Sequence, residues 1–127
     1  MAIAEHLVAT TRRRIRTLTV YEQAIWLWVH VLSAVPQALS LVLMPDHLHL
    51  VALPGAGAKL RKTLNGFTCA FGVALDLNTP EAATTRAIAA RQIRYGFLNP
   101  VRAGLVSDPW SWPWSTLHDL AGAVDPV

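Results

Sequence analysis

Residues 44–53 read Met44-Pro45-Asp46-His47-Leu48-His49-Leu50-Val51-Ala52-Leu53, and their alternation decides the fold. Pro45 has no amide hydrogen to give to a sheet ladder, so it marks a turn or a strand edge. From His47 onward an extended chain points successive side chains to opposite faces. His47, His49 and Val51 then share one face, and Leu48, Leu50 and Ala52 share the other. Three apolar side chains on one side call for a core there. Two imidazoles side by side on the other make a partial metal site, which needs a third ligand from elsewhere in the chain. The same pattern also arises where two histidines sit by chance on an exposed strand face.

Working outward, Ala38 to Met44 is a short apolar run of the kind found in central strands. Glu22 to Val35 reads as a helix, with Ile25, Trp28, Val29 and Leu32 at helical spacing and Pro36 as the stop. Residues 6–20 mix Thr and Val with Arg and suit one strand or two short ones. After His47 to Leu53, Pro54-Gly55-Ala56-Gly57 is a loop, and Ala58 to about Leu75 is predicted helical. Asp76-Leu77-Asn78-Thr79-Pro80 breaks the chain, and Glu81 to about Phe97 reads as another helix that Asn99-Pro100 ends or bends. The Trp- and Pro-rich segment 107–116 is expected to be irregular. The order strand, helix, strand, strand, helix, helix predicts an α+β fold, an antiparallel sheet with helices packed on one face. No repeat or linker divides the chain, so residues 1–127 are read as a single domain.

A hydrophobic fraction of 53% against 15% charged residues excludes a disordered chain and suggests a large partner surface, such as a homodimer interface. Ala24 to Met44 is mostly apolar, but Pro36 divides it, so it reads as helix, turn and strand rather than a membrane span. The N-terminus lacks a basic region followed by an apolar run, the pattern of a secretory leader. The single Cys69 excludes an internal disulfide framework and suits a reducing cytoplasm, where it reads as a small buried hydrophobe. A net charge of +3 permits nucleic-acid binding without requiring it. The placement says more: Arg12, Arg13, Arg14 and Arg16 cluster, as do Lys59, Arg61 and Lys62, and Arg86, Arg91, Arg94 and Arg102 surround a third segment. Each cluster reads equally well as a solvated face.

Of the two tyrosines, Tyr95 lies late in the second basic helix, with Asn99 one turn further on the same face. A helix crossing the histidine face would present a phenol and a carboxamide oxygen together. Attack on a phosphodiester needs a nucleophile and a Lewis acid on the non-bridging oxygens, and an Asn oxygen suits Mg²⁺ or Mn²⁺. A free phenol titrates near pH 10, so it needs a metal or nearby cations for activation. Arg91 and Arg94 lie nearby in sequence, with Arg91 one turn before Tyr95. A packing tyrosine is the commoner alternative.

Met44-Pro45-Asp46-His47-Leu48-His49-Leu50-Val51 resembles one signature of the small HUH transposases with a single catalytic tyrosine. Tyr95-Gly96-Phe97-Leu98-Asn99-Pro100-Val101-Arg102-Ala103-Gly104-Leu105-Val106 resembles their second signature, and Trp112-Pro113-Trp114-Ser115 their ending. The transposases associated with repetitive extragenic palindromes are the nearest branch of this resemblance, which covers nearly the whole chain. It implies a ferredoxin-like fold, often dimeric, that acts on hairpin-bearing single-stranded DNA. It implies His47, His49 and Asn99 as ligands of Mg²⁺ or Mn²⁺, and Tyr95 as a nucleophile that forms a 5′-phosphotyrosine and frees a 3′-hydroxyl. Two departures stand out. Gly96-Phe97 occupies positions where the family usually has Ile and His, and only 46 positions separate His49 from Tyr95.

The leading expectation is therefore a metal-dependent endonuclease and strand transferase. The alternative is a catalytically silent hairpin-binding protein, and the small size counts against a replication initiator of the wider HUH group. Arg12, Arg13, Arg14, Lys59, Arg61, Lys62, Arg91 and Arg94 are the expected DNA-backbone contacts. Trp110, Trp112 and Trp114 either stack on unpaired bases or pack the tail onto the core. His30 and His118 read as structural.

Overall fold

The structure, a computed structural model, describes residues 1–119; of the single domain read as 1–127, residues 120–127 lie outside the described residues. Five strands and three helices follow in the order β1 (Ala4–Thr11), α1 (Tyr21–Ala34), β2 (Ala38–Met44), β3 (His47–Ala52), α2 (Gly57–Phe71), β4 (Leu75–Leu77), β5 (Glu81–Ala83) and α3 (Arg86–Arg102). Single 3-10 turns occur at Arg12–Arg14, Thr17–Thr19 and Pro109–Ser111. The sheet runs β2-β3-β1-β4, every pair antiparallel, and β5 joins the same edge of β1 as β4 but at its other end.

The alternation around His47 produces the expected two faces. Leu48, Leu50 and Ala52 are fully buried with Leu7, Ala9, Leu41 and Leu43, beneath Leu27 and Val31 of α1 and Leu60, Leu64 and Phe67 of α2. Truncating such a residue, Leu48→Ala for example, costs about 2–5 kcal/mol through lost burial and the cavity left behind. The first six elements, with α1 and α2 together on this face, form the expected ferredoxin-like unit. α3 departs from the expectation of helices on one face. It crosses the opposite side of the sheet, where Ala89 packs on Ala4 and Val51, and Phe97 on Val42 and Met44.

Several boundaries differ from the sequence expectation. β1 stops at Thr11, because Arg13 (φ 65°) and Arg14 (φ 57°) turn the chain through the left-handed region. α2 ends at Phe71 on Gly72 (φ +72°), whose amide bonds Thr68 O at 2.8 Å, which frees Leu75–Leu77 to pair as β4. The helix predicted from Glu81 starts instead at Arg86, where the Thr85 side chain accepts from the Ile88 amide at 3.2 Å. Glu81–Ala83 adds to the edge of β1. Pro100 sits inside α3, which runs on to Arg102.

The Trp-rich segment covers the outer edge of β2. Leu43 N donates to Trp114 O at 2.9 Å, Trp112 Nε1 to Leu43 O at 2.8 Å, and Thr116 N to Leu41 O at 3.0 Å. Trp112 and Trp114 are thus packing residues that close an otherwise open strand edge, whereas Trp110 is exposed. Cys69, expected to be buried, is exposed on α2. Among the described residues no helix is long and apolar enough to cross a membrane.

Candidate functional site

The second face of the sheet carries three histidines. In the antiparallel register Val8 lies opposite His49 and His6 opposite Val51, so His6 and His49 are diagonal neighbours. His6 Nε2 lies 3.0 Å from His49 Nδ1, with both rings buried and stacked at 26°. On the other side of His49, its Nε2 lies 3.1 Å from His47 Nε2. His47 Nδ1 reaches Asp46 Oδ1 at 2.7 Å, and the other oxygen of Asp46 accepts from Arg14 Nε at 2.8 Å.

These contacts constrain the protons. A carboxylate only accepts, so His47 donates from Nδ1 to Asp46, which leaves its Nε2 facing His49. Burial, reinforced by His47, His6 and Arg102, pushes the His49 imidazole down to about 3, so the ring is neutral near pH 7. Burial also lowers His6, against an opposing pull from Glu81. Burial tends to raise Asp46, but hydrogen bonds from His47 and Arg14 outweigh it and hold the carboxyl below its usual range. The pair fits a divalent cation. Two ligands at right angles on an ion with bonds of about 2.1 Å stand about 3.0 Å apart, close to the spacing of the two Nε2 atoms. Among the described residues no group of three His, Cys, Asp or Glu side chains is placed to hold a metal ion, so the two histidines need a further ligand of another kind.

α3 approaches this face through Gly96. A Cβ added there would sit 3.6 Å from His49 Cβ and 3.7 Å from Val42 Cγ2, ordinary contact distances, so the helix backbone lies close over these two residues with room for a methyl group and little more. Phe97, the other departure in that signature, is buried against Val42 and Met44. Tyr95 is thereby held with its ring centroid 5.7 Å from that of His49 and 6.2 Å from that of His6, while 45% exposed. The short connection after His49 therefore still carries Tyr95 to the histidines, and one chain supplies all of these groups. Asn99 lies one turn beyond Tyr95, half-buried, and its carboxamide makes no hydrogen bond among the described residues. Gln92, three residues before Tyr95, donates to Glu81 O at 3.1 Å and leaves its buried Oε1 unpartnered.

The cation over the Tyr95 ring is Arg102, not Arg91. The Arg102 guanidinium carbon sits 4.5 Å from the ring centroid, and Nη1 donates to Tyr95 O at 3.1 Å. Arg91 and Arg94 are exposed on α3. Arg12 pairs with Asp76 of β4 at 2.8 Å and Arg14 with Asp46 beside His47, and Arg13 is exposed between them. Lys59, Arg61 and Lys62 lie on α2, on the far side of the sheet. There Lys59 and Lys62 border a groove with Trp26 and His30, whose rings stack at 3.7 Å. The basic residues of α2 and those of α3 thus lie on opposite sides of the sheet. His30 Nδ1 contacts Trp26 O at 2.7 Å and His118 Nε2 contacts Trp112 O at 2.8 Å, which suits structural roles.

His6, Asp46 and Arg102 escaped the reading of the sequence as site residues. A single histidine in an apolar strand carries no spacing signal. Alternation along β1 places it on a face, but only the pairing register shows that face to be the one bearing His49.

No protein-family model matches the chain, and no curated protein matches it. Among solved structures it is similar to a REP-associated tyrosine transposase bound to a REP hairpin. The TM-score is 0.74 and the identity 24%, covering 99% of this chain and 84% of that one. It is also similar to a protein assigned as a transposase from Deinococcus radiodurans R1, with TM-score 0.48 and 22% identity over 76% of this chain and 92% of that one. The first likeness establishes that the chain has the fold of that hairpin-bound transposase.

Proposed function

We propose that this protein is a single-tyrosine DNA transposase of the HUH kind, which cuts hairpin-bearing single-stranded DNA and rejoins it through Tyr95. The observation that carries the proposal is the convergence of the His47 and His49 Nε2 atoms at 3.1 Å beneath Tyr95, in a fold shared with a REP-associated tyrosine transposase. That relative was bound to a REP hairpin, which makes a DNA hairpin the natural substrate to test.

In this reading His47, His49 and the Asn99 oxygen hold Mg²⁺ or Mn²⁺, which when bound withdraws charge from the non-bridging oxygens of the scissile phosphate. Arg102 holds a positive charge over the Tyr95 ring, next to the group that attacks phosphorus. The Tyr95 oxygen forms a bond to phosphorus as the bond from phosphorus to the 3′-oxygen breaks. The 3′-oxygen leaves as a hydroxyl after taking a proton, and the 5′-phosphate stays on Tyr95. Attack by another 3′-hydroxyl reverses the step, so no nucleotide cofactor is consumed. Arg12, Arg13, Arg14, Arg91, Arg94, Lys59, Arg61 and Lys62 bind the DNA backbone.

The experiment is incubation of single-stranded hairpins, taken from the DNA flanking the gene, with protein and Mn²⁺, followed by a denaturing gel. The wild type is expected to form a covalent adduct, and Tyr95→Phe and His49→Ala none. Salt-sensitive binding without any adduct, unchanged by Tyr95→Phe, would instead identify a silent hairpin-binding protein. Light scattering tests the homodimer that the apolar composition suggests.

A further inference from the structure

We infer that His6 is a positioning residue that fixes the ring plane and tautomer of His49, so that His49 presents its Nε2 lone pair beside that of His47. The inference rests on the metal-site reading above for its purpose, but its geometry stands apart from it.

The two proposed ligands are anchored by different means. His47 has a carboxylate, Asp46, on its Nδ1. The Nδ1 of His49 is buried and is met by the His6 ring at 3.0 Å. A metal-ligating histidine generally needs its second nitrogen held by an acceptor, which sets both the tautomer and the ring orientation. Neutral imidazole does this only in one arrangement: His49 donates from Nδ1, and His6 accepts at Nε2 and keeps its own proton on Nδ1. Glu81 lies directly opposite His6 on β5.

His6 does not serve as a ligand itself. Its bonded nitrogen faces the Nδ1 side of His49, whereas the nitrogens that converge with His47 are the two Nε2 atoms. Nor is simple packing a sufficient account. Burying an imidazole between Ala4 and Val8 on a strand costs about 1–3 kcal/mol unless it is hydrogen-bonded, and an apolar residue would fill the same place without that cost. The bond to His49 is what the position gains.

The test is nitrogen-15 NMR of the histidine rings together with Mn²⁺ titration by calorimetry. In the wild type, coupling across the hydrogen bond between His49 Nδ1 and His6 Nε2 is expected, and with Mg²⁺ added the proton is expected on His49 Nδ1. His6→Leu should weaken Mn²⁺ binding about 10–100-fold. His6→Gln, whose carboxamide oxygen still accepts a hydrogen bond, should recover most of that loss. Absence of the coupling in the wild type overturns the inference even if His6→Leu fails to fold, as does unchanged Mn²⁺ affinity in a folded His6→Leu. If the wild type binds neither cation, the metal reading falls, and the coupling still decides whether His6 holds His49.

Discussion

His47 and His49 face each other through their Nε2 atoms at 3.1 Å, each ring held from behind, one by Asp46 and the other by His6. In the proposed metal site both Nε2 lone pairs would be free to bind a divalent cation, with the ring protons on the two Nδ1 atoms. Mn²⁺ at a hundredfold excess over its Kd should stabilise the fold by about 2.7 kcal/mol, a rise in Tm on the order of 10 °C. Differential scanning calorimetry with and without chelator checks this. An equal rise in His47→Ala would mean that the ion binds elsewhere.

The same burial makes the metal-free protein sensitive to acid. His49 is pushed down to about 3 in the fold, and His6 is lowered as well, whereas both titrate near 6.5 once unfolded. The unfolded chain therefore binds more protons. Stability is fully present above pH 6.5 and is lost as the pH falls toward 3, by about 1.4 kcal/mol per pH unit for each histidine that stays neutral in the fold. Urea unfolding in chelator from pH 7.5 to 4.5 should show this decline, and His49→Gln should flatten it. A slope untouched by that substitution would place the acid sensitivity in other groups.

Gly96 separates two effects that oppose each other. Alanine there meets its neighbours at ordinary contact distances and improves the helix by about 1 kcal/mol, so Gly96→Ala should fold as well as the wild type or better. Gly96→Val adds branches where His49 and Val42 already stand, and should cost about 1–3 kcal/mol and lift Tyr95 away from the histidines. Chemical unfolding and adduct yield together read both effects. A fully active Gly96→Val would show that the close approach of α3 is not needed.

The period of two from His47 to Ala52 sufficed to place the histidines on one face and the core on the other, because strand alternation is a local property. The position of α3 was not legible in the same way. Its apolar residues show that it packs, but both sheet faces offered apolar partners, and only the crossing through Gly96 puts Tyr95 above His49. β4 and β5 were missed because three-residue strands in a Thr-, Asn- and Pro-containing segment pair only because the edge of β1 is open to them. His6 and Arg102 act through partners 43 residues and seven residues away, contacts that no local pattern predicts.

Arg102 should be separable from the fold. It is exposed and its contacts are with Tyr95, so Arg102→Ala should change stability by less than about 1 kcal/mol. The rate of adduct formation should fall by an order of magnitude or more, since the cation nearest the phenol is gone. Single-turnover kinetics at saturating hairpin measure this, and an unchanged rate would leave Arg102 a surface residue that happens to rest on the ring.

The two basic surfaces should divide binding from cutting. Lys59 and Lys62 of α2 flank the Trp26–His30 stack of α1, and the sheet separates them from Tyr95. If that surface carries phosphates of the hairpin, Lys59→Ala with Lys62→Ala should lower affinity and reduce the slope of log K against log salt by about 2. With DNA at saturation the adduct should form at the wild-type rate, because neither lysine approaches the phenol. A reduced rate at saturation would argue that the strand leaving the α2 surface must be held there to reach Tyr95. An unchanged salt slope would confine DNA contact to the Arg-bearing loop after β1 and to α3.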